Sequence, residues 1–202
     1  MRIALVAVLA LAAAPLLAQT PPGQPGAPDP TRVVAGTYNL ETRHSQVLFT
    51  VNHLGFTEYT GQFTQPTGTL VIDPANPAND KVDVTFPIDK VSTTVPGLDT
   101  HLKTPDFFDM AKFPEGKFVS TRVTVNGTTA TIAGDLTIHG VTKPVVLAAR
   151  FIGAGTNGPA KKLNFGFAAT TTINRSDFGM KFLVPMVSDK VDLVINAGFV
   201  AP

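Results

Sequence analysis

The chain has 202 residues, of which 44% are hydrophobic and 15% are charged, and it contains neither cysteine nor tryptophan. Sixteen basic and fifteen acidic residues leave a formal net charge of +1, so there is no field to attract a polyanion and nucleic acid is excluded as a partner. Without cysteine, disulfides, thiolate nucleophiles and cysteine-ligated metal sites are also excluded.

The N-terminus has the pattern of a secretory signal peptide. Arg2 precedes an uncharged apolar run from Ile3 to Ala18, which is shorter than the roughly 20 residues that a membrane-spanning helix needs. Residues 1–18 are therefore predicted to be a cleaved signal peptide, which makes the protein periplasmic. An uncleaved anchor stays open, because Leu16 is larger than the residue preferred three places before the end of the signal.

The next stretch, residues 19–35, is predicted to be a disordered tether. Five prolines and two glycines between Gln19 and Pro30 oppose both helix and sheet formation. Residues 36–202 then form a single domain.

Apolar and polar residues alternate along most of this domain, which predicts strands with one buried face. One such face carries Val47, Phe49, Val51 and His53, and another carries Val82, Val84, Phe86 and Ile88. Asn126-Gly127 is the strongest short hairpin signal. Thr104-Pro105-Asp106 reads as a helix start, so a short helical insertion is predicted near residues 97–111.

About eight or nine strands of this kind predict an all-β fold, namely an extended antiparallel β-barrel. A barrel removes the exposed edges of its sheet, and eight strands enclose a lumen that side chains fill or that holds one small ligand. Fourteen phenylalanines and only two tyrosines would also suit a filled core, which composition alone favours.

Several ordered motifs between about Gly36 and Phe199 resemble those of the YceI-like family of exported lipid-binding proteins. They include Val51-Asn52-His53-Leu54-Gly55, Asp99-Thr100-His101-Leu102-Lys103-Thr104-Pro105-Asp106-Phe107-Phe108, Lys112-Phe113-Pro114, Gly134-Asp135-Leu136-Thr137-Ile138-His139-Gly140, Arg175-Ser176-Asp177-Phe178-Gly179 and Ser188-Asp189-Lys190-Val191. The resemblance covers nearly the whole mature domain.

This resemblance implies a lipocalin-like barrel in the periplasm, whose internal pocket binds a polyisoprenoid chain such as a polyprenyl phosphate or the tail of a ubiquinone. Such a protein would carry or store lipid without catalysis and without a further cofactor. One position departs from the family: Leu98 stands where an arginine is common. Because leucine carries no positive charge, this departure argues against binding of a charged head group near the helical segment.

The residues expected to bind the ligand combine an apolar tunnel wall with two polar groups. They are Phe49, Val51, His53, Phe63, Phe86, Phe108, Phe113 and Arg175. For Arg175, bracing of the barrel end competes with a contact to a phosphate or a quinone carbonyl. For His53, a structural role at the mouth of the lumen competes with a ligand contact.

Two other functions remain open from the sequence. An enzyme could act on a lipid head group through His53, His101 or Asp99 if these groups met at one cavity. A stress-related scaffold with a filled core would have no cavity. Zinc is disfavoured, because no H-E-x-x-H or short histidine pair is present. The glycines from Gly153 to Gly158 match G-x-G-x-x-G, but they precede a strand and are read as a hairpin loop.

Two partners besides the isoprenoid or quinone stay open: transient contact with a membrane, and a second copy of the chain in a homodimer.

Overall fold

The computed structural model describes residues 23–157 and 161–202, so the predicted signal peptide lies outside the described residues. The described part contains one α-helix, α1 (Pro96–Leu102), and eleven strands. The strands are β1 (Gly36–Leu40), β2 (Gln46–His53), β3 (Thr57–Thr64), β4 (Thr67–Ile72), β5 (Lys81–Pro87), β6 (Val91–Ser92), β7 (Glu115–Asn126), β8 (Thr129–Ile138), β9 (Val141–Asn157), β10 (Lys162–Asn174) and β11 (Lys190–Val200). Within these residues, no helix has the length and hydropathy to cross a bilayer.

Eight of the strands close into an antiparallel barrel. Their order is β1–β4–β5–β7–β8–β9–β10–β11, and β11 returns to pair with β1. Alternation places one face of each strand inside, as on β9, where Leu147 and Ala149 are buried and Ala148 is exposed. The predicted all-β barrel of about eight strands is confirmed.

The last strand has two partners on the same side. Its C-terminal end pairs with β1, at Leu40 and Phe199, whereas its N-terminal half pairs with β2, from Thr50 and Asp192 to Gln46 and Asn196. Strands β2, β3 and β6 therefore branch from the closed ring.

The two ends of the barrel differ in what covers them. At the turn end lie the β7–β8 turn, the β4–β5 loop (residues 73–80) and the N-terminal segment. At the helix end lie α1, the β2–β3 turn (residues 54–56) and the long loop between β10 and β11 (residues 175–189).

The buried apolar side chains form two clusters, one towards each end of the barrel. The larger cluster belongs to the helix end and includes Phe49, Ile88, Leu102, Phe178 and Met180. The smaller cluster lies at the turn end and includes Val33, Tyr38, Leu70, Phe165 and Phe199.

The helical insertion is shorter than predicted. It ends at Leu102, and residues 103–113 form a series of turns in which the amide of Phe108 donates to the carbonyl of Leu102 and that of Met110 to the carbonyl of Lys103. Pro105 cannot continue a helix because it lacks an amide donor, and the hydroxyl of Thr104 donates to the carbonyl of His101 instead of capping a new helix. The predicted helix start at Thr104 is therefore wrong.

The predicted tether is also wrong over its second half. The backbones of Ala27 and Ala154 exchange two hydrogen bonds of 3.0 and 2.9 Å, Pro30–Arg32 form a 3₁₀ turn, and Val33 is buried. Residues 25–33, called the strap below, thus lie against β9. Residues 19–22 are outside the described part of the chain.

Two smaller expectations concerned turns. The β7–β8 hairpin is confirmed, with Gly127 in the left-handed region (φ 59°) and Thr128 as the second turn residue. Gly153 and Gly155 are not in a loop, because β9 runs on to Asn157.

Candidate functional site

A cavity of about 360 Å³ lies inside the barrel and is lined by members of both apolar clusters. Its wall is almost entirely apolar, with side chains from most of the barrel strands. They include Leu70, Val82, Val84, Phe86, Phe118, Ile132, Leu136, Leu147, Ala149, Phe167, Ala169, Leu193, Ile195 and Phe199. The filled core that composition favoured is therefore wrong.

The cavity is long relative to its volume. Along β8 its wall extends from Thr129 to Ile138, which corresponds to about 30 Å of strand and, given the usual tilt of barrel strands, to somewhat less along the axis. A volume of 360 Å³ spread over such a length accommodates a narrow chain better than a compact molecule. At the turn end the wall includes Pro30, Pro74, Pro77 and Gly127.

The few polar groups of the wall include a buried carboxyl at the turn end. Asp80 is buried, and its Oδ1 accepts a hydrogen bond of 2.7 Å from the amide of Asp73. Burial raises the pKa of Asp80, and the negative charge of Asp73 adds to the increase, whereas the hydrogen bond opposes it. This environment is unfavourable for a second anion.

Two of the predicted tunnel residues, Phe63 and Phe86, line the cavity. Their ring centroids lie 5.1 Å apart, and both side chains are buried. They form the wall on the side of the helix-end cluster.

Four other predicted residues belong to layers outside the wall. Phe49 packs on Phe63 at 5.6 Å, and Phe108 meets the same ring edge-on at 5.3 Å. Val51 packs against the helix-end cluster. Phe113 meets the imidazole of His139 at the β8–β9 turn, with ring centroids 5.0 Å apart. None of these four contributes to the cavity wall.

His53 is exposed at the end of β2, where its ring lies 6.5 Å from that of Tyr59. The expectation that it points into the lumen is wrong, because β2 runs past the end of the barrel at this point and His53 lies beside Val187, outside the core.

The other two groups of the enzymatic alternative are engaged elsewhere. Nε2 of His101 lies 2.8 Å from the carboxylate of Asp106, and Asp99 accepts two hydrogen bonds of 2.6 Å from Thr93. Neither lines the cavity. In the described part of the chain, no three histidine or acidic side chains are grouped as a metal site requires.

Arg175 is buried and makes three hydrogen bonds to backbone carbonyls. Its guanidinium donates to Ser188, Met180 and Val187 at 2.9, 3.1 and 2.8 Å. Burial lowers the pKa of Arg175, while Asp189 opposes the shift. The structure supports the bracing interpretation, since the guanidinium is directed at the 175–189 loop and Arg175 is absent from the cavity wall.

Leu98, the departure from the family pattern, packs against the helix-end cluster. A charged side chain at this position would have to leave that apolar surface.

Most of the wall was missed in the sequence. Many of the residues that were not predicted lie on β8, β9, β10 and β11, where alternation identifies two faces but not which face is inside. The small size of Ala149 and Ala169, both facing the lumen, was the available signal, because bulky side chains there would fill the space.

Comparison with known proteins agrees with this architecture. Residues 38–199 match the sequence model of the YceI-like domain. The chain belongs to the YceI-like family. The protein YceI of Escherichia coli is 41% identical to this YceI-like chain over 165 residues, which cover 81% of this chain and 86% of that protein.

Solved structures show the same fold. BcnA of Burkholderia cenocepacia superposes on this YceI-like chain with a TM-score of 0.69 at 20% identity, covering 79% of this chain and 98% of that one. A polyisoprenoid binding domain from Saccharophagus degradans superposes with a TM-score of 0.59 at 13% identity, covering 82% and 98%. At these identities the similarity demonstrates the fold alone.

Proposed function

We propose that this protein is a non-enzymatic lipid carrier that holds a polyisoprenoid chain in the barrel cavity. The observation that carries the proposal is the cavity itself, which is apolar, narrow and extends along most of β8. A polyisoprenoid binding domain with the same fold supports the same ligand class here. The ligand would be a polyprenyl phosphate or a quinone with an isoprenoid tail.

The energetics suit carriage and not permanent capture. Burying a methylene group releases about 0.8 kcal/mol relative to water, but an isoprenoid in a bilayer is already out of water. Transfer from bilayer to cavity therefore has a small net free energy, and the ligand can be loaded and released without catalysis. No cofactor is needed for this exchange.

The location and partners follow from this function. We propose a periplasmic location, because the apolar run that follows Arg2 has the pattern of a signal peptide. A carrier of this kind must touch a membrane transiently. A homodimer is compatible with the function but not required by it.

Two adjacent alanines of β9 provide a matched test. Ala149 is buried and lines the cavity, whereas Ala148 is exposed on the opposite face of the strand. Ala149→Phe inserts a ring into the cavity, so we expect retention of ubiquinone or polyprenyl phosphate to fall at least tenfold, whereas Ala148→Phe retains it.

The measurement is organic extraction of the purified variants followed by mass spectrometry, with circular dichroism to verify folding. Equal loading of folded Ala149→Phe and wild type would contradict the proposal, as would a wild-type protein that never takes up a long apolar molecule.

A further inference from the structure

The cavity opens at the turn end of the barrel. Among the residues of its wall, the solvent-exposed ones all belong to the strap, the β4–β5 loop, the β7–β8 hairpin and the adjoining part of β9. They are Pro30, Pro74, Val125, Gly127, Thr128, Thr129 and Arg150. We call these seven residues the rim.

Val125 shows that the rim surrounds an opening. It pairs with Ala130 across the hairpin, and both residues line the cavity, so Val125 faces inward although it is 44% exposed. At the other end of the cavity, Leu136 and Ile138 of β8 are buried in the helix-end cluster. An isoprenoid therefore enters tail first through the rim, and its head group stays there.

The β4–β5 loop places a buried carboxyl beside the rim. Asp80 follows Pro77 and precedes Val82, and all three residues line the cavity. Asp80 is nine-tenths buried. Its amide donates to the carbonyl of Pro77 at 3.1 Å, which closes a 3₁₀ turn and fixes the position of the carboxyl in the wall.

Only one oxygen of this carboxyl is used by the fold. Oδ1 of Asp80 accepts from the amide of Asp73 at 2.7 Å, whereas Oδ2 has no hydrogen-bond partner among the described residues. Oδ2 is not one of the atoms that the fold seals off, so a group at the rim has access to it. Because an ionised carboxylate accepts hydrogen bonds and donates none, the missing partner is a hydrogen-bond donor.

The charges around Asp80 oppose an anionic head group. Asp73 lies on the same loop, and its charge contributes to the raised pKa of Asp80. Of the cations on the neighbouring segments, Arg32 of the strap pairs with Asp29 at 3.3 Å, and Lys81 is exposed. Asp80 takes part in no ion pair within the described part of the chain. A phosphate here would therefore meet uncompensated negative charge.

The other polar side chains of the rim are directed away from the opening. Thr129 and Arg150 lie opposite each other on β8 and β9. Both are exposed, and they alternate with Ala130 and Ala149, which face the lumen, so their side chains belong to the outer face. Thr128 is an exposed turn residue. A head group held at the rim thus meets the carboxyl of Asp80.

We propose that Asp80 is the head-group contact of the carrier and selects isoprenoids that carry a hydroxyl, namely polyprenols and quinols. A hydroxyl donates to Oδ2, whereas a phosphate is repelled and the carbonyl of an oxidised quinone offers only an acceptor. The inference rests on the proposed function, because it requires an isoprenoid in the cavity, and it adds the head group and the residue that recognises it.

The test is competition between ligands that share a tail and differ in the head group. Wild-type protein is equilibrated near neutral pH with detergent micelles that contain undecaprenol and undecaprenyl phosphate, and the bound lipids are extracted and quantified by mass spectrometry. We expect undecaprenol to be enriched at least tenfold over its ratio in the micelles, since a hydrogen bond to a charged group is among the stronger ones. A parallel competition should enrich ubiquinol over ubiquinone.

Asp80→Asn separates a direct contact from a structural role. The amide oxygen of asparagine still accepts from Asp73, but an NH₂ group replaces Oδ2 and the negative charge is lost. We expect the enrichment of undecaprenol to fall at least tenfold while total bound lipid stays near the wild-type amount. Asp83→Asn is the matched control, because Asp83 lies on the same strand side chain by side chain with the wall but pairs with Lys117 at 3.1 Å, and it should keep the wild-type preference.

Two results would overturn this proposal and leave the proposed function intact. One is wild-type protein that binds the phosphate or the oxidised quinone as well as the hydroxyl form, which requires no variant to fold. The other is Asp80→Asn that changes total loading but not the preference, which would assign Asp80 to the β4–β5 loop alone. If neither lipid binds the wild type, the proposed function fails and this inference fails with it.

Discussion

At the scale of single residues, Arg175 organises the 175–189 loop from within. Besides its three side-chain bonds, its amide donates to the carbonyl of Asp189 at 2.9 Å, and its carbonyl accepts from the amide of Met180 at 3.2 Å. One residue thus satisfies backbone groups along much of the loop, including three carbonyls that accept from its guanidinium.

Replacing Arg175 with methionine keeps much of the side-chain volume but removes the donors. Because an unpaired buried polar group costs about 1–3 kcal/mol, we expect Arg175→Met to lower the free energy of unfolding by about 3–5 kcal/mol in urea titrations. Arg43→Met, at an exposed position, should change it by less than about 0.5 kcal/mol. A similar small change for both variants would show that the loop does not depend on the guanidinium.

The role of Arg175 was only half predictable from the sequence. A lone arginine near the end of a strand predicts either a brace or an anion contact, and the choice depends on carbonyls at Met180, Val187 and Ser188 that no side-chain pattern reveals. His53 failed for a related reason, since alternation continues formally past the point where β2 leaves the barrel.

At the scale of elements, the strap is held by close approach of two backbones. A Cβ atom on Gly155 would collide with the carbonyl oxygen of Pro25, and one on Gly153 would lie 3.0 Å from the carbonyl oxygen of Ala27. The guanidinium of Arg32 adds a bond of 3.3 Å to the carbonyl of Ala154. Gly153 and Gly155 of the G-x-G-x-x-G match are therefore explained by the strap and not by a phosphate.

We expect Gly155→Val to displace the strap, because its side chain occupies the space of the Pro25 backbone. Limited trypsin digestion should then cleave after Arg32 at least several-fold faster than in the wild type. Gly166→Ala is the control, since a Cβ there meets only the carbonyl of Ala197 at 3.4 Å. Unchanged cleavage in Gly155→Val would mean that the strap adjusts without leaving β9.

The strands were predictable because their period is intrinsic to the chain, whereas the strap and α1 depend on tertiary contacts. Proline and glycine content predicts that residues 19–35 avoid helix and sheet, and it cannot predict that Val33 finds a buried site. Similarly, the conformation of residues 103–113 depends on tertiary packing, with Phe108 on one side of the segment and Phe107 on the other.

At the scale of the whole molecule, folding and ligand binding are coupled through the cavity. The unfolded chain has no cavity, so a ligand that binds the barrel raises its stability by mass action. The apolar wall was predictable as a class, from the strand pattern and the family resemblance, but its volume depends on which small residues face inward.

Saturation with the ligand should raise the melting temperature. At a free ligand concentration of 100 times Kd the gain is about 2.7 kcal/mol, which for a domain of this size corresponds to roughly 5–10 °C. Circular dichroism melts in detergent, with and without ubiquinone, would measure it. Ala149→Phe should show no such increase. If ubiquinone does not change the melting temperature of the wild type, binding inside the fold is contradicted.

The length of β9 has a consequence for association. The pairing of β9 with β8 ends at Arg150, opposite Thr129, whereas β9 continues to Asn157. Among the described residues, the strap pairs with this extension on that side, at Ala154. Such an edge is a template for another strand. The strap covers this edge and so opposes intermolecular strand pairing. We expect truncation of the N-terminus past Val33 to make the protein prone to self-assembly through β9.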